Sequence, residues 1–238
     1  MPTIAFTRTV NGAPAPIAID DGEEQLLWRA ALPGASTYDR AANTLRVLQA
    51  SGAEAFHLLP LALPASWMVN AKATSHAMQR WLSPSRADAW HVLLDGIGPA
   101  LSPEGWLAMP EAQRAECAGA VETLATGKDG ESLAAVTKVL ALLRPQLVPL
   151  MDDAALWFAL ELVPEPSSAD RPSAKPSAFV PMLDWFAEQV VATERPLMEL
   201  AARHVLAVLD AAQTFDRLLW MASWGQRIRN RSLPASAG

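Results

Sequence analysis

The stretch running from Leu133 through Ala-Ala-Val-Thr-Lys-Val-Leu-Ala-Leu-Leu-Arg to Pro145 constrains the fold more than any other part of the chain. Leu133, Val136, Leu140, Leu143 and Leu147 recur at spacings of three and four, which predicts a helix over 132–143 with one face in the core. The helix must stop near Arg144, because a proline disfavours the α conformation in the residue before it. Lys138 follows Val136 by two residues and falls off the apolar stripe, so it is expected on a flank. Beyond Pro149, Asp152 stands before Asp153-Ala-Ala-Leu-Trp-Phe158, where an aspartate N-cap bonds the free amides of a new helix and contributes about 1 kcal/mol. Helix, proline turn and capped helix is the simplest account of the segment.

The rest of the chain extends that pattern. Alanine and leucine dominate, while Val, Ile and aromatic residues are sparse and tyrosine occurs once, which favours helix packing over sheets. With 51% of 238 residues apolar, the chain can bury a substantial core. The expected class is mainly α, a multi-helix globular bundle. Asn11-Gly12 lies between loosely alternating segments within residues 3 to 19, the signature of a short N-terminal β-hairpin. Pro14 and Pro16 confine its second strand to an edge. Helices are expected at about 22–31, 39–51, 65–82, 85–95, 110–126, 132–143, 153–162, 179–193 and 196–229, the last as one helix or two, with Pro110 and Pro196 in first-turn positions. The organisation is then a ribbon or arm at 1–20, a helical body at 21–162, a mobile Pro/Ser-rich loop at 163–178, C-terminal helices packing on the body at 179–231, and a disordered tail at 232–238.

Several function classes drop out. The single cysteine, Cys117, cannot form an internal disulfide framework or a cysteine-rich zinc site, and suits a reducing compartment. The N-terminus lacks a basic start followed by an apolar run, and no stretch is long and apolar enough to span a bilayer, so a soluble cytoplasmic protein without a membrane partner is expected. His57, His76, His91 and His204 form no HExxH or other close pair, and no metal site is expected. No GxSxG elbow, Walker loop or GxGxxG is present, and no cofactor is expected. A formal charge of −6 argues against a non-specific nucleic-acid binder. The basic residues that cluster are Arg227, Arg229 and Arg231 near the C-terminus, with Arg80 and Arg86 around a Ser-Pro turn. Partners therefore remain open between protein and DNA.

Two features carry chemistry. Leu94-Asp-Gly-Ile-Gly-Pro-Ala100 has the hydrophobic-Gly-hydrophobic-Gly letters of a helix-hairpin-helix turn, in which glycines allow close backbone approach and the next helix offers its amides to a DNA phosphate. A helix ended by Gly96 and followed by a Gly-Pro loop has the same letters. Thr137-Lys138-Val139, followed by Arg-Pro-Gln-Leu-Val-Pro149 and Asp152, resembles the catalytic segment of the 8-oxoguanine DNA glycosylases of the helix-hairpin-helix superfamily. It is more similar still to bacterial proteins of unknown function that share the glycosylase fold, where a later helix carries a Leu-Trp-Met signature matched here by Phe215-Asp-Arg-Leu-Leu-Trp-Met221.

The resemblance implies a bundle of the helix-hairpin-helix glycosylase type. It also implies roles. Lys138 would be the nucleophile at the sugar carbon, and Asp152, or alternatively Asp153, the carboxylate that stabilises developing charge and assists proton transfer. Trp157, Phe158, Trp220 and Trp224 would offer stacking surfaces for a flipped base, and Gly96, Gly98, Arg227 and Arg229 would contact the phosphate backbone. The chain departs from the family immediately before the lysine, where Leu133-Ala-Ala-Val136 replaces a glycine-rich hairpin. With the acidic balance, this ranks a non-catalytic binding or interaction module first and a base-excision glycosylase/lyase-like enzyme second.

Overall fold

In a computed structural model, Asn11 and Gly12 both take positive φ, 51° and 73°, and so close the tight turn that suits the right-handed twist of a hairpin. The structure describes residues 3–31, 35–67, 73–150, 152–162, 174–203 and 209–232, without the side chains of 35, 36, 154 and 224–232. Strand β1 (Ile4–Val10) pairs antiparallel with β2 (Ala13–Ile19), in a register that sets Ile4 opposite Ile19 and Val10 opposite Ala13. Thr7 faces Pro16 and Thr9 faces Pro14, so both prolines occupy alternate positions of β2. Thr7 turns its own amide and carbonyl away from the ladder: its N–H donates to Gln189 Oε1 at 2.8 Å and its carbonyl accepts from Trp185 Nε1 at 2.7 Å. The edge of β1 is thereby covered by side chains rather than left to pair with another strand.

Eleven helices follow among the described residues. They are α1 (Gly22–Ala31), α2 (Ala35–Ala50), α3 (Leu59–Ser66), α4 (Ser75–Trp81), α5 (Pro84–Gly96), α6 (Pro103–Leu107), α7 (Glu111–Leu124), α8 (Leu133–Leu143), α9 (Asp153–Leu160), α10 (Phe179–Arg203) and α11 (Ala211–Ser232). The molecule is a mainly helical bundle with a short N-terminal hairpin. No helix among the described residues is long and apolar enough to cross a membrane.

Helix α8 lies at the centre. Ser132 caps it, its hydroxyl accepting from the Ala135 amide at 3.2 Å, and every residue from Leu133 to Leu143 except Ala134 is buried. The apolar stripe predicts a single core face, but α2, α3 and α7 pack around the helix and leave it no solvated side. Around it, the hairpin inserts Phe6 edge-on against Trp185 and Phe215, with ring centres 6.4 and 5.3 Å apart. Trp81 meets Trp90 edge-on at 6.0 Å and donates its indole N–H to the Leu124 carbonyl at 2.8 Å.

Several element boundaries depart from expectation. The expected helix over 65–82 is two, α3 and α4, because Thr74 caps a new start with its side chain on the Ala77 amide, and α3 begins at Leu59 although it contains Pro64. Pro196 sits inside α10 rather than in a first turn. Buried Val190, Thr193, Leu197 and Leu200 carry one apolar stripe across it, and the Ala192 carbonyl that loses its partner belongs to an exposed residue where water can serve it. The short helix α6, capped by Ser102, has too few apolar residues to show as a period. Finally, the Pro/Ser-rich loop is shorter than expected at its far end. Residues 174–178 are ordered, with Ala174 and Ala178 buried, the Ala174 amide bonded to Asp153 Oδ1 and a 3-10 turn at Pro176–Ala178 leading into α10. The remainder of that loop, 163–173, and the tail at 233–238 lie outside the described residues.

Candidate functional site

Lys138 occupies a different environment from the one its spacing implies. It is 7% exposed, and Thr137 beside it is fully buried. Because α8 is enclosed on all sides, a position off the main stripe still points into protein. Asp152 caps α9: its Oδ1 accepts from the Ala155 amide at 3.0 Å and its carbonyl from the Leu156 amide at 3.0 Å. Asp153, the first residue of α9, bonds the Ala174 amide at 3.1 Å and so ties the start of α9 to the lead-in of α10. The capping geometry expected of Asp152 is present.

The aromatic candidates are dispersed through the core. Phe158 is buried beneath the Arg8 guanidinium, whose central carbon lies 5.0 Å from the ring centre. Trp157 is half-buried against the core, and Trp220 is half-buried on α11. The side chains of Trp224, Arg227 and Arg229 lie outside the described residues, as does His204. Gly96 ends α5 with an ordinary φ, and its value is steric: a Cβ there would stand 2.6 Å from Cys117 Sγ on α7. Gly98 follows in the loop and offers its carbonyl to Leu101 N and to Gln146 Nε2 at 3.1 and 3.3 Å.

Gly98 belongs to a cleft of about 1010 Å3. Lys138, Asp152, Trp157 and Trp220 do not line it. Three helices end on its floor, with Gln49 and Ala50 from α2, Leu94 and Asp95 from α5, and Leu143 from α8 followed by Arg144. Pro145 holds Arg144 out of the helix at φ −138°, and its side chain turns across the ends of the other two helices. The guanidinium is 3% exposed; Nε donates to the Ile97 carbonyl, Nη1 to Gln49 Oε1 and to the Leu143 carbonyl at 2.9 Å, and Nη2 to the Leu94 carbonyl at 3.0 Å. Burial pulls its pKa down to about 10, opposed by the nearby Asp95 carboxylate, so it remains charged at neutral pH. Arg144 thus supplies donors to carbonyls that helix ends leave without partners.

The walls carry the other polar groups. Phe56 and His91 stack at 4.0 Å and 23°. The Ala87 carbonyl lies 2.9 Å from His91 Nδ1 and can only accept, so Nδ1 carries the proton and Nε2 is the free nitrogen of the neutral ring. Asp210 caps α11, its Oδ1 accepting from the Gln213 amide at 2.7 Å while Gln213 Oε1 accepts from the Asp210 amide at 3.3 Å. Burial pushes the Asp210 carboxyl above the ordinary carboxylate range, against the opposing pull of those backbone bonds and of Arg217 and Arg46.

Gln213 also lines a cavity of about 20 Å3 behind the cleft, between α1, α2 and α11. There Asp39 accepts from Arg29 at 2.8 Å and from Arg217 at 3.0 Å, and Asp216 accepts the Leu150 amide at 2.7 Å. Burial raises the Asp216 carboxyl to about 6, in spite of Arg29, the Leu150 amide and Arg217, and raises the Tyr38 hydroxyl well above its ordinary value. These groups pin the first two helices to the last.

Comparison with protein-family models, with curated proteins and with solved structures finds no match for the chain. The cleft itself was not readable in the sequence. Phe56, His91, Arg144 and Asp210 stand on four separate segments, and the one local signal was Arg144-Pro145, whose proline predicts a helix stop but not the direction of the arginine.

Proposed function

We propose that the protein is a non-catalytic binding module whose ligand site is the cleft floored by Arg144. The observation that carries this reading is the cleft itself. Its volume of about 1010 Å3 is at the upper end of small-molecule sites, and its floor is fixed by a buried arginine bonded to the ends of α5 and α8 and to the Gln49 side chain of α2. Such a floor is preorganised, so a ligand spends little binding energy ordering it. The similarity of Thr137–Asp152 and Phe215–Met221 to glycosylase-fold proteins supports descent from a helix-hairpin-helix scaffold that has kept its helices. The free, buried thiol of Cys117 suits a cytoplasmic location. A fragment screen followed by amide chemical shifts tests the function. Hits are expected to move Gly98, His91 and Gln213, and to be lost when Ala100→Trp fills the exposed mouth; hits that leave those amides still would refute it.

One observation favours a second reading, a base-excision glycosylase/lyase using Lys138 with Asp152. Lys138 is buried on α8 within the segment that resembles the glycosylase catalytic helix, and a lysine amine is the nucleophile that such a reaction uses. Borohydride trapping on 8-oxoguanine or abasic DNA should then give an adduct that Lys138→Ala abolishes. Absence of an adduct with the unaltered protein removes this reading.

A further inference from the structure

We propose that the cleft receives a cation: an ammonium or guanidinium group carried on an apolar body. The inference rests on the cleft being the binding site, and it follows from the direction of the helices around it. The carbonyl ends of α2, α5 and α8 converge on the floor, where each helix places roughly half a negative charge at its C-terminus, which the Arg144 guanidinium bonded to α5 and α8 offsets in part. Helix α11 points its amide end at the same space, but Asp210 caps that end with a carboxylate. Glu54 and Asp95 add two more carboxylates at the exposed rim, and Asp95, in the last turn of α5, lies on the negative end of its own helix. At that position the Asp95 carboxylate adds to the negative helix end, with the Arg144 guanidinium as its nearby opposite charge, and a cation brought to the rim meets both.

The opposing charges do not reverse the balance. A guanidinium has five N–H bonds, and Arg144 commits four of them to Ile97, Gln49, Leu143 and Leu94. It is spent on the helix ends and cannot hold an anionic ligand in a bidentate grip. Arg46 is exposed and donates to Asn43 Oδ1 at 2.8 Å on its own helix. Asp210 keeps a carboxylate that is half-buried, with Oδ1 serving Gln213 and the direct ion pairs of Arg217 made instead to Asp39. A ligand cation beside Asp210 and Asp95 adds a direct partner to carboxylates that Arg217, Arg46 and Arg144 offset only through space. The apolar part of the ligand has Phe56, Leu94, Pro99, Met198 and Leu209 to lie against, and the Phe56 ring face is itself attractive to a cation.

The test compares two probes of one shape and opposite charge, phenethylammonium and phenylpropionate, titrated into the full chain and followed by amide shifts. Phenethylammonium should saturate at Gly98, His91 and Gln213, bind at least about tenfold more tightly than phenylpropionate, and weaken about tenfold in each of Asp95→Asn and Asp210→Asn. Asparagine preserves the cap on α11, and Asp95 is exposed, so the two variants guard against a simple loss of fold. Equal or tighter binding of phenylpropionate at these amides overturns the charge assignment while leaving the cleft as the site. Binding of phenethylammonium that neither variant weakens overturns it too. If neither probe, nor any fragment of either charge, moves the cleft amides, the binding-module reading falls with it.

Discussion

Replacing Asp216 by asparagine should remove a pH dependence that the wild-type protein carries between about pH 4 and pH 6. The carboxyl lies in the pocket made by α1, α2 and α11, where it faces the guanidinium groups of Arg29 and Arg217, the Asp39 carboxylate and the Tyr38 hydroxyl. Burial lifts it from 3.8 to about 6 in the folded protein. Between those values the folded state holds a proton that the unfolded chain has released, so stability falls as pH rises. The unfavourable contribution is absent below the unfolded value and complete above the folded one. At 1.36 kcal/mol per unit, the difference corresponds to at most about 3 kcal/mol. Asparagine keeps an oxygen for the Leu150 amide and never ionises. Urea denaturation of both proteins across this range gives a difference curve in which carboxylates and histidines common to both largely cancel. The variant should gain on the wild type by about 2–3 kcal/mol from the acid to the neutral end, with most of the gain below pH 6. A flat difference curve, or a wild type that gains on the variant as pH rises, would show that Arg29 and Arg217 outweigh burial and that the carboxylate is held in its charged form.

Two further substitutions separate packing and capping from chemistry. Gly96→Ala should destabilise by about 1–3 kcal/mol in thermal melts, because its Cβ would lie 2.6 Å from Cys117 Sγ, and pairing it with Cys117→Ala should recover most of that loss; additive effects of the two changes would place the glycine's role elsewhere. Asp152→Ala should cost at least about 1 kcal/mol in urea denaturation because it removes the cap on the Ala155 amide, and Asp152→Asn should cost less, since an amide oxygen serves that amide; an asparagine variant as damaged as the alanine one would show that the negative charge itself is needed.

The helical class, the hairpin and most helix positions were legible because they rest on short-range signals. Asn11-Gly12 forces a tight turn, and the 133–143 stripe has helical period. What escaped was decided over distance. The burial of Lys138 depends on α2, α3 and α7 closing around α8, and spacing along one helix cannot count its neighbours. The glycines of 94–100 fit a phosphate-binding turn or a packed helix end equally well until Cys117 is brought against Gly96. Asp216 and Arg217 entered only as letters of a signature; their shared pocket with Arg29, Tyr38 and Asp39 joins segments nearly 180 residues apart. Site residues supplied by distant segments leave no spacing to read.

Arg144 and Pro145 are adjacent, and both can claim to set the cleft floor, yet their energies differ enough to decide between them. Proline forbids the helical conformation at residue 144, but its removal restores a backbone N–H and frees the unfolded chain by about 0.4–1 kcal/mol of entropy. The arginine side chain is bonded to three main-chain carbonyls and to Gln49, and the Arg144 carbonyl accepts from both Leu147 and Val148 at 3.1 and 2.9 Å, starting the next turn. Truncating it to methionine fills similar space but leaves the Leu94, Ile97 and Leu143 carbonyls without that donor, at about 3–5 kcal/mol for breaking a buried charged network. Pro145→Ala should therefore cost about 1 kcal/mol or less and leave the amide shifts of Gly98 and Gln49 near their wild-type values, because the arginine bonds still hold residue 144 in place. Arg144→Met should cost several times more and shift both. If the proline variant proves the more damaging of the two, the backbone rather than the guanidinium organises the floor, and the argument that Arg144 is spent on the helix ends loses its basis.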